Sequence, residues 1–416
     1  MDKIETSNRL RSKLLTKVIN SAHLSVFFRQ QELFSYENKS LNDKLDYLFK
    51  SMNETNNLNE QFENFLCEEV KYTVNRIVVT TPIKITDKSP LFDTYTFNDA
   101  FPDYAEYNNI SILDDDELDA YFREDPLKYI QILEEKKEED GQITLISKAF
   151  VKKKKQVRTI TIDEEPETTI TPLLDFVWID IFPQKNYYRM HFSEGIPSTE
   201  GQLTFEQIYE HFSKEIENQY KTDAAVHSAG HVLYKIYRDL TNTAESPYVN
   251  RIATFNSKID SFVASISEDI NYSDENVDGI DLNIRVKKLL ERAIIQQDFK
   301  AYVETTFNRE GFIDKFQYQD STGGRVLASS NDATFDMSKH DIYFDTKETI
   351  NINKMLNTLW VRWFKNEIID EMPTTNQIKV RYETHPRYYV THFLFSQVSK
   401  EVCEYVLPKF DEYEAK

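Results

Sequence analysis

Eight glycines in 416 residues set a tight limit on what this backbone can do near a ligand. They are Gly141, Gly195, Gly201, Gly230, Gly279, Gly311, Gly323 and Gly324. A loop that wraps a phosphate with its own amides needs glycines, because any Cβ blocks the approach. The chain has no G-x-G-x-x-G, no G-x-x-x-x-G-K-[ST] and no G-x-S-x-G. Dinucleotide fingerprints, P-loops and the hydrolase nucleophile elbow are therefore not expected. Hydrophobic residues at 40% and aromatics at 13%, with 28 Phe and 24 Tyr, supply enough apolar surface for a packed core. The length predicts more than one domain.

Periodicity predicts an α+β fold with a helical N-terminal arm, mixed or antiparallel sheets with helical segments, and several domains. The arm covers 1–70, with helices opening near Ser7, Ser40 and Asn57. An α+β domain follows over 71–165, with a Val/Ile/Thr strand at 75–86, a helix from about Pro126 to Lys137, and strands at 142–162. The Pro- and acid-rich stretch 163–172 reads as a linker. A third domain spans 173–416. It starts with the nearly unbroken apolar run LLDFVWIDIF, continues through a helical region over 204–307, and returns to strands. Within it Ile342 to Phe344 reads as a short strand, Asp320 to Gly324 as a hairpin turn, and Pro386 as the opening of the last helix.

The formal charge is −20. Such a surface repels phosphate backbones and anionic lipids at long range, so nucleic-acid contact would need a local basic patch. Lys152, Lys153, Lys154, Lys155 and Arg158, with Lys148 just before them, form one, and a solvated β-turn is the competing reading. Two cysteines, Cys67 and Cys403, exclude a disulfide framework and point to a reducing compartment. No run reaches the roughly 18 apolar residues of a membrane span, and the N-terminus has no apolar core behind its charges. A cytoplasmic protein without a membrane partner is expected.

Four constellations could carry chemistry. Asp223, His227 and His231 share the i, i+4 spacing that presents metal ligands on one helix face, although H-E-x-x-H is not matched. Asp320 with Asp345-Thr-Lys347 resembles the acid and acid-x-Lys pattern of metal-dependent nucleases, in which carboxylates hold Mg2+ and the lysine steadies charge on phosphate. Arg387-Tyr-Tyr-Val-Thr-His392 resembles the R-x4-H pattern of HEPN ribonucleases, where both residues face the scissile phosphate from a helix; the resemblance implies metal-independent RNA cleavage. Asp274 to Gly279 matches the first half of an EF-hand loop, but Arg285 stands where the bidentate Glu belongs.

Each catalytic pattern lacks a part. The expected function is a non-catalytic binding, scaffold or sensor subunit of an intracellular multiprotein assembly, with other protein subunits as partners and no cofactor. Asn-, Lys-, Ile- and Tyr-rich usage points to an AT-rich coding sequence and to bacterial mobile-element or anti-phage systems. The alternatives are a metal-dependent nuclease that needs Mg2+, and a nucleic-acid-binding module that uses the lysine run.

Overall fold

The computed structural model describes residues 19–52, 56–73, 75–104, 129–162, 165–193, 204–272, 281–298, 310–319, 323–330, 336–369, 372–394 and 398–416. In chain order the longer elements are α1 (Ser21–Gln30), α2 (Leu41–Met52), α3 (Asn56–Glu68), β1 (Asn75–Lys84), α4 (Thr94–Ala100), β2 (Ile130–Glu139), β3 (Gln142–Ile162), β4 (Glu165–Phe182), β5 (Tyr187–Ser193) and α5 (Phe205–Tyr220). Then come β6 (Asp223–Ala224), α6 (Ala229–Ala253), α7 (Asn256–Asp269), α8 (Leu282–Gln297), β7 (Gly311–Gln319), β8 (Arg325–Ser329), α9 (Asp341–Asn353), β9 (Thr358–Ile369), β10 (Met372–Thr384), β11 (Tyr389–Phe393) and α10 (Lys400–Ala415). The fold is α+β, and the strand pairs described are antiparallel. The chain divides into two compact units, Met1–His227 with Pro386–Tyr405, and Ser228–His385 with Val406–Lys416.

In the first unit the strand order is β2-β3-β4-β5-β1-β11, with β6 beside β1. Period-2 alternation along β3 and β4 decides its layers. Ala149, Val151, Phe176 and Trp178 point to one side and pack with Leu24, Phe28, Leu48, Phe62 and Leu66 of α1 to α3. Ile146, Phe150, Val177, Ile179 and Ile181 point to the other side and pack with Ile208, Phe212 and Ile216 of α5. The apolar run at the end of β4 is thus buried on both faces, which is why it carries no polar alternation. Helix α5 is fixed by a capping box between Thr204 and Gln207.

Several expectations are corrected here. Residues 130–137, read as helix, belong to strand β2, which is joined to β3 by the two-residue Asp140-Gly141 turn. Both turn residues have positive φ, 51° and 75°, which matches the twist of a tight hairpin and is tolerated by an Asp-Gly pair. Lys152 to Arg158 do not form a turn. They lie within the 21-residue strand β3, in register with β4 from Lys152↔Asp175 to Arg158↔Thr169. Residues 165–172, read as a linker, are the first half of β4. Residues Tyr389–Phe393 are strand, not helix, and the last helix starts only at Lys400. The β-branched and aromatic YVTHF segment outweighed Pro386 as a helix opener.

In the second unit the strand order is β10-β9-β7-β8. Gly311 begins β7 where the backbone of β9 comes close: a Cβ there would lie 2.4 Å from the Arg362 carbonyl oxygen. The buried Asp314 carboxylate accepts from Arg362 Nε at 3.1 Å and meets Lys379 Nζ at 2.7 Å. The helical part is held by two small apolar clusters. Tyr248 and Ile295 pack with Ile294 and Phe344, and Ile252, Ile259 and Val263 pack with Leu282, Val286 and Ile294. Ile342 to Phe344 belong to helix α9 rather than to a strand. Tyr343, Thr346 and Ile350 are its buried residues, a spacing of three and four that is helical.

Candidate ligand-binding cavity

Helix α8 begins at an Asp281 cap, whose side chain accepts from the Ile284 amide at 2.9 Å. From there Arg285, Lys288 and Arg292 follow at i, i+3 and i+7, so their side chains share one helix face. This face and α9 enclose a cavity of about 320 Å³, lined by Arg285, Lys288, Leu289, Glu291, Arg292, Ile295, Phe344, Asp345 and Lys347. Its lining places four cations against two carboxylates, inside a chain whose overall charge is −20.

The cations are held in place by their partners. Lys288 Nζ lies 2.6 Å from Glu291 Oε2. Arg292 is paired with Asp345, and its guanidinium lies 5.8 Å from the Phe344 ring centroid. Lys347 is paired with Glu245 of α6, whose other oxygen accepts from the Tyr343 hydroxyl at 2.6 Å. Burial pulls the Lys347 ammonium down to about 7; the Glu245 carboxylate at its side pulls the opposite way. Ile295 forms an apolar floor at 2% exposure, and Leu289 stands at the rim at 66%.

The sequence-selected residues are placed as follows. Asp345 and Lys347 both line the cavity, but from a helix rather than from a strand edge. Asp320 lies outside the described residues, as do residues 273–280 of the acidic turn. Asp223 is in the two-residue strand β6, His227 precedes α6, and His231 lies in its first turns. His231 Nδ1 donates to the Lys354 carbonyl at 2.7 Å. The expected helical i, i+4 pair therefore does not form, because the helix begins only at Ala229. Among the described residues no three His, Cys, Asp or Glu side chains are grouped to hold a metal ion. Arg387 pairs with Glu217, and His392 is a buried residue of β11 opposite Ile77. Lys152 is buried with its ammonium 5.5 Å from the Tyr129 ring centroid. Lys148 is buried too, with Nζ 2.8 Å from Gln219 Oε1 and 3.3 Å from Glu134 Oε1. For Lys153, Lys154, Lys155 and Arg158 the structure gives strand register only.

The cavity cations Arg285, Lys288 and Arg292 were not singled out from sequence, apart from Arg285 as a defect in the calcium loop. Their i, i+3, i+7 spacing was the available signal. It is a common pattern on exposed helices and gains meaning only when α9 is seen across from it.

The first unit contains a second group of charges with a different character. Asp180 of β4 is fully enclosed: Lys71 Nζ lies 2.6 Å from Oδ2, and Ser147 Oγ and Trp178 Nε1 donate to Oδ1 at 2.7 and 2.8 Å. His191 Nε2 is 4.0 Å away. Lys71 sits in the π-helical turn Glu69–Thr73 between α3 and β1. Burial opposes charge on all three groups. The Lys71–Asp180 attraction outweighs it for that pair, so the lysine pKa rises and the aspartate pKa falls. For His191 the Asp180 attraction is too weak: burial, reinforced by Lys71 and Arg189, pushes it down to about 3, so it stays neutral. With hydrogen bonds on both carboxylate oxygens, Asp180 and His191 buried and Lys71 half-buried, the group works as a fastener between the helical layer and the sheet.

Comparison of the chain with protein-family models, with curated proteins and with solved structures finds no match. No helix among the described residues is long and apolar enough to cross a membrane.

Proposed function

We propose that the chain is a non-catalytic binding subunit of an intracellular assembly, and that it holds an anionic small molecule in the cavity between α8 and α9. The observation that supports this reading most is the convergence of Arg285, Lys288, Arg292 and Lys347 on one cavity of a strongly acidic chain. Cations are concentrated in such a chain against its net field, and the cavity lies at the small end of the usual 300–1,000 Å³ range for ligand pockets. Burial pushes Cys67 to about 12 and raises Cys403 further, which fits thiols that pack rather than react.

Thermal unfolding of the full chain against inorganic phosphate, citrate, sulfate and nucleotides tests the proposal. A ligand at 100 times its Kd adds about 2.7 kcal/mol, which would raise Tm by about 5–10 °C for a unit of this size. The rise should shrink in Arg285→Gln/Lys288→Gln. If no anion raises Tm, the proposal is wrong.

A nuclease is the second reading, favoured by the presence of Asp345 and Lys347 in the same cavity. It requires Mg2+-dependent cleavage of DNA or RNA that Asp345→Ala abolishes.

A further inference from the structure

We infer that the ligand of the α8–α9 cavity is a phosphomonoester carried on a flat ring, of about the size of a nucleoside monophosphate. The inference rests on the binding reading above and adds the chemistry of the ligand to it.

Carboxylates are already present beside the cavity cations. Glu291 answers Lys288 and Asp345 answers Arg292. A monocarboxylate arriving here would exchange one carboxylate for another and gain little. A phosphomonoester brings up to two negative charges and three terminal oxygens, so it can draw Lys288, Arg292 and Arg285 together from their present partners. Two of the cations are arginines, whose planar forks match phosphate oxygens in pairs. Glu245 behind Lys347 offsets part of the positive charge of the lining. The scarcity of glycine is consistent with this. It excludes a backbone cradle, whereas this anion would be held by side chains.

A ring is called for by the rest of the lining. Phe344 and Leu289 are apolar groups of the cavity, and Leu289 is largely exposed. A bare anion would leave Leu289 in water, together with the part of Phe344 that Tyr248 and Ile295 do not cover. A flat ring attached to the phosphate would cover them, with the Arg292 guanidinium beside the Phe344 ring marking where stacking and charge meet. The volume of about 320 Å³ suits one such unit rather than a polymer.

Isothermal titration of the full chain with AMP and UMP, alongside adenosine, inorganic phosphate, citrate and a 5′-phosphorylated oligonucleotide, provides the test. Both monophosphates should bind, with adenosine and phosphate each at least about tenfold weaker. Arg285→Gln, an exposed change that should leave Tm within error, should weaken AMP by about tenfold or more, the usual size of a lost charged hydrogen bond. Phe344→Leu should weaken it several-fold. The 31P resonance of AMP should shift on binding to the parent and much less with Arg285→Gln. The inference is overturned if adenosine binds as well as AMP, if Arg285→Gln leaves AMP affinity unchanged, or if the oligonucleotide binds more than tenfold tighter than AMP. Citrate binding without any phosphomonoester binding would overturn the ligand class and leave the anion reading standing. No binding by any anion would overturn both.

Discussion

Replacing Lys71 by Met removes the cation that meets Asp180 at 2.6 Å and leaves the rest of the fastener in place. Side-chain volume is nearly conserved, so cavity formation is a minor part of the effect. Asp180 keeps its Ser147 and Trp178 donors on Oδ1, but Oδ2 loses its charged partner. Truncating one partner of a buried pair typically costs about 3–5 kcal/mol, and the surviving donors place this case near the lower end, at about 3 kcal/mol. For a unit of this size that lowers Tm by about 6–12 °C. The remaining charge should also change the pH response. With Lys71 gone, burial and Arg189 still depress His191, but the larger of the two repelling cations is removed and the Asp180 attraction remains, so His191 should take up a proton at higher pH and partly replace the lost cation. The deficit of Lys71→Met relative to the parent should therefore narrow as pH falls from 7 to 5. Trp178 donates to Asp180 and reports locally by fluorescence in urea unfolding at several pH values. Adding Asp180→Asn to Lys71→Met should recover part of the loss, because no uncompensated charge is then buried. A Lys71→Met protein as stable as the parent at pH 7, with an unchanged pH profile, would refute the reasoning.

Two further outcomes follow from the same physics. His191 is neutral in the fold down to about 3 and titrates near 6.5 when unfolded, so the unfolded chain binds more protons between those values. Its contribution is present above pH 6.5 and is lost as pH falls, by about 1.4 kcal/mol per unit; His191→Gln should flatten the stability profile by about 2–3 kcal/mol between pH 6.5 and 4.5, measured by urea midpoints. Gly311→Ala places a Cβ 2.4 Å from the Arg362 carbonyl oxygen, and backbone must yield to admit it; a loss of about 1–3 kcal/mol is expected by thermal unfolding, and an unaffected Tm would mean that β7 and β9 can separate freely at this point.

The α+β class was legible because its strongest signals were long. LLDFVWIDIF had to be buried strand, and helices α2 and α3 showed their apolar stripes; Ser40 does precede α2, whereas α3 already includes Asn56, one residue before the expected Asn57 start. Short apolar runs were not decisive. Ile342-Tyr-Phe and Tyr389 to Phe393 have the same kind of composition, yet one is helix and the other strand. Both also sit in a helical stripe, Tyr343 with Thr346 and Ile350, and Tyr389 with Phe393; what separates them is that Tyr389 to His392 find β1 as a pairing partner. The lysine run misled because charge was taken as a sign of a solvated turn, while Lys148 and Lys152 are buried against Glu134, Gln219 and the Tyr129 ring. Asp345 and Lys347 were noticed for a metal-binding pattern read on a strand edge, and they lie on helix α9 instead. They line a cavity because α8 lies opposite, and no local sequence feature records that.

Strand β1 pairs with β5 on one side and with β11 on the other. Ile77 meets His392, so this second edge waits for 315 further residues to leave the ribosome. At about 5–20 residues per second that delay is about 15–60 s. Throughout it, a strand rich in Val, Ile and Thr offers an unpaired row of amides and carbonyls to anything nearby. Synthesis of this chain therefore includes a long interval in which its first unit cannot be finished, and cellular factors that shield nascent strands would matter most in that interval.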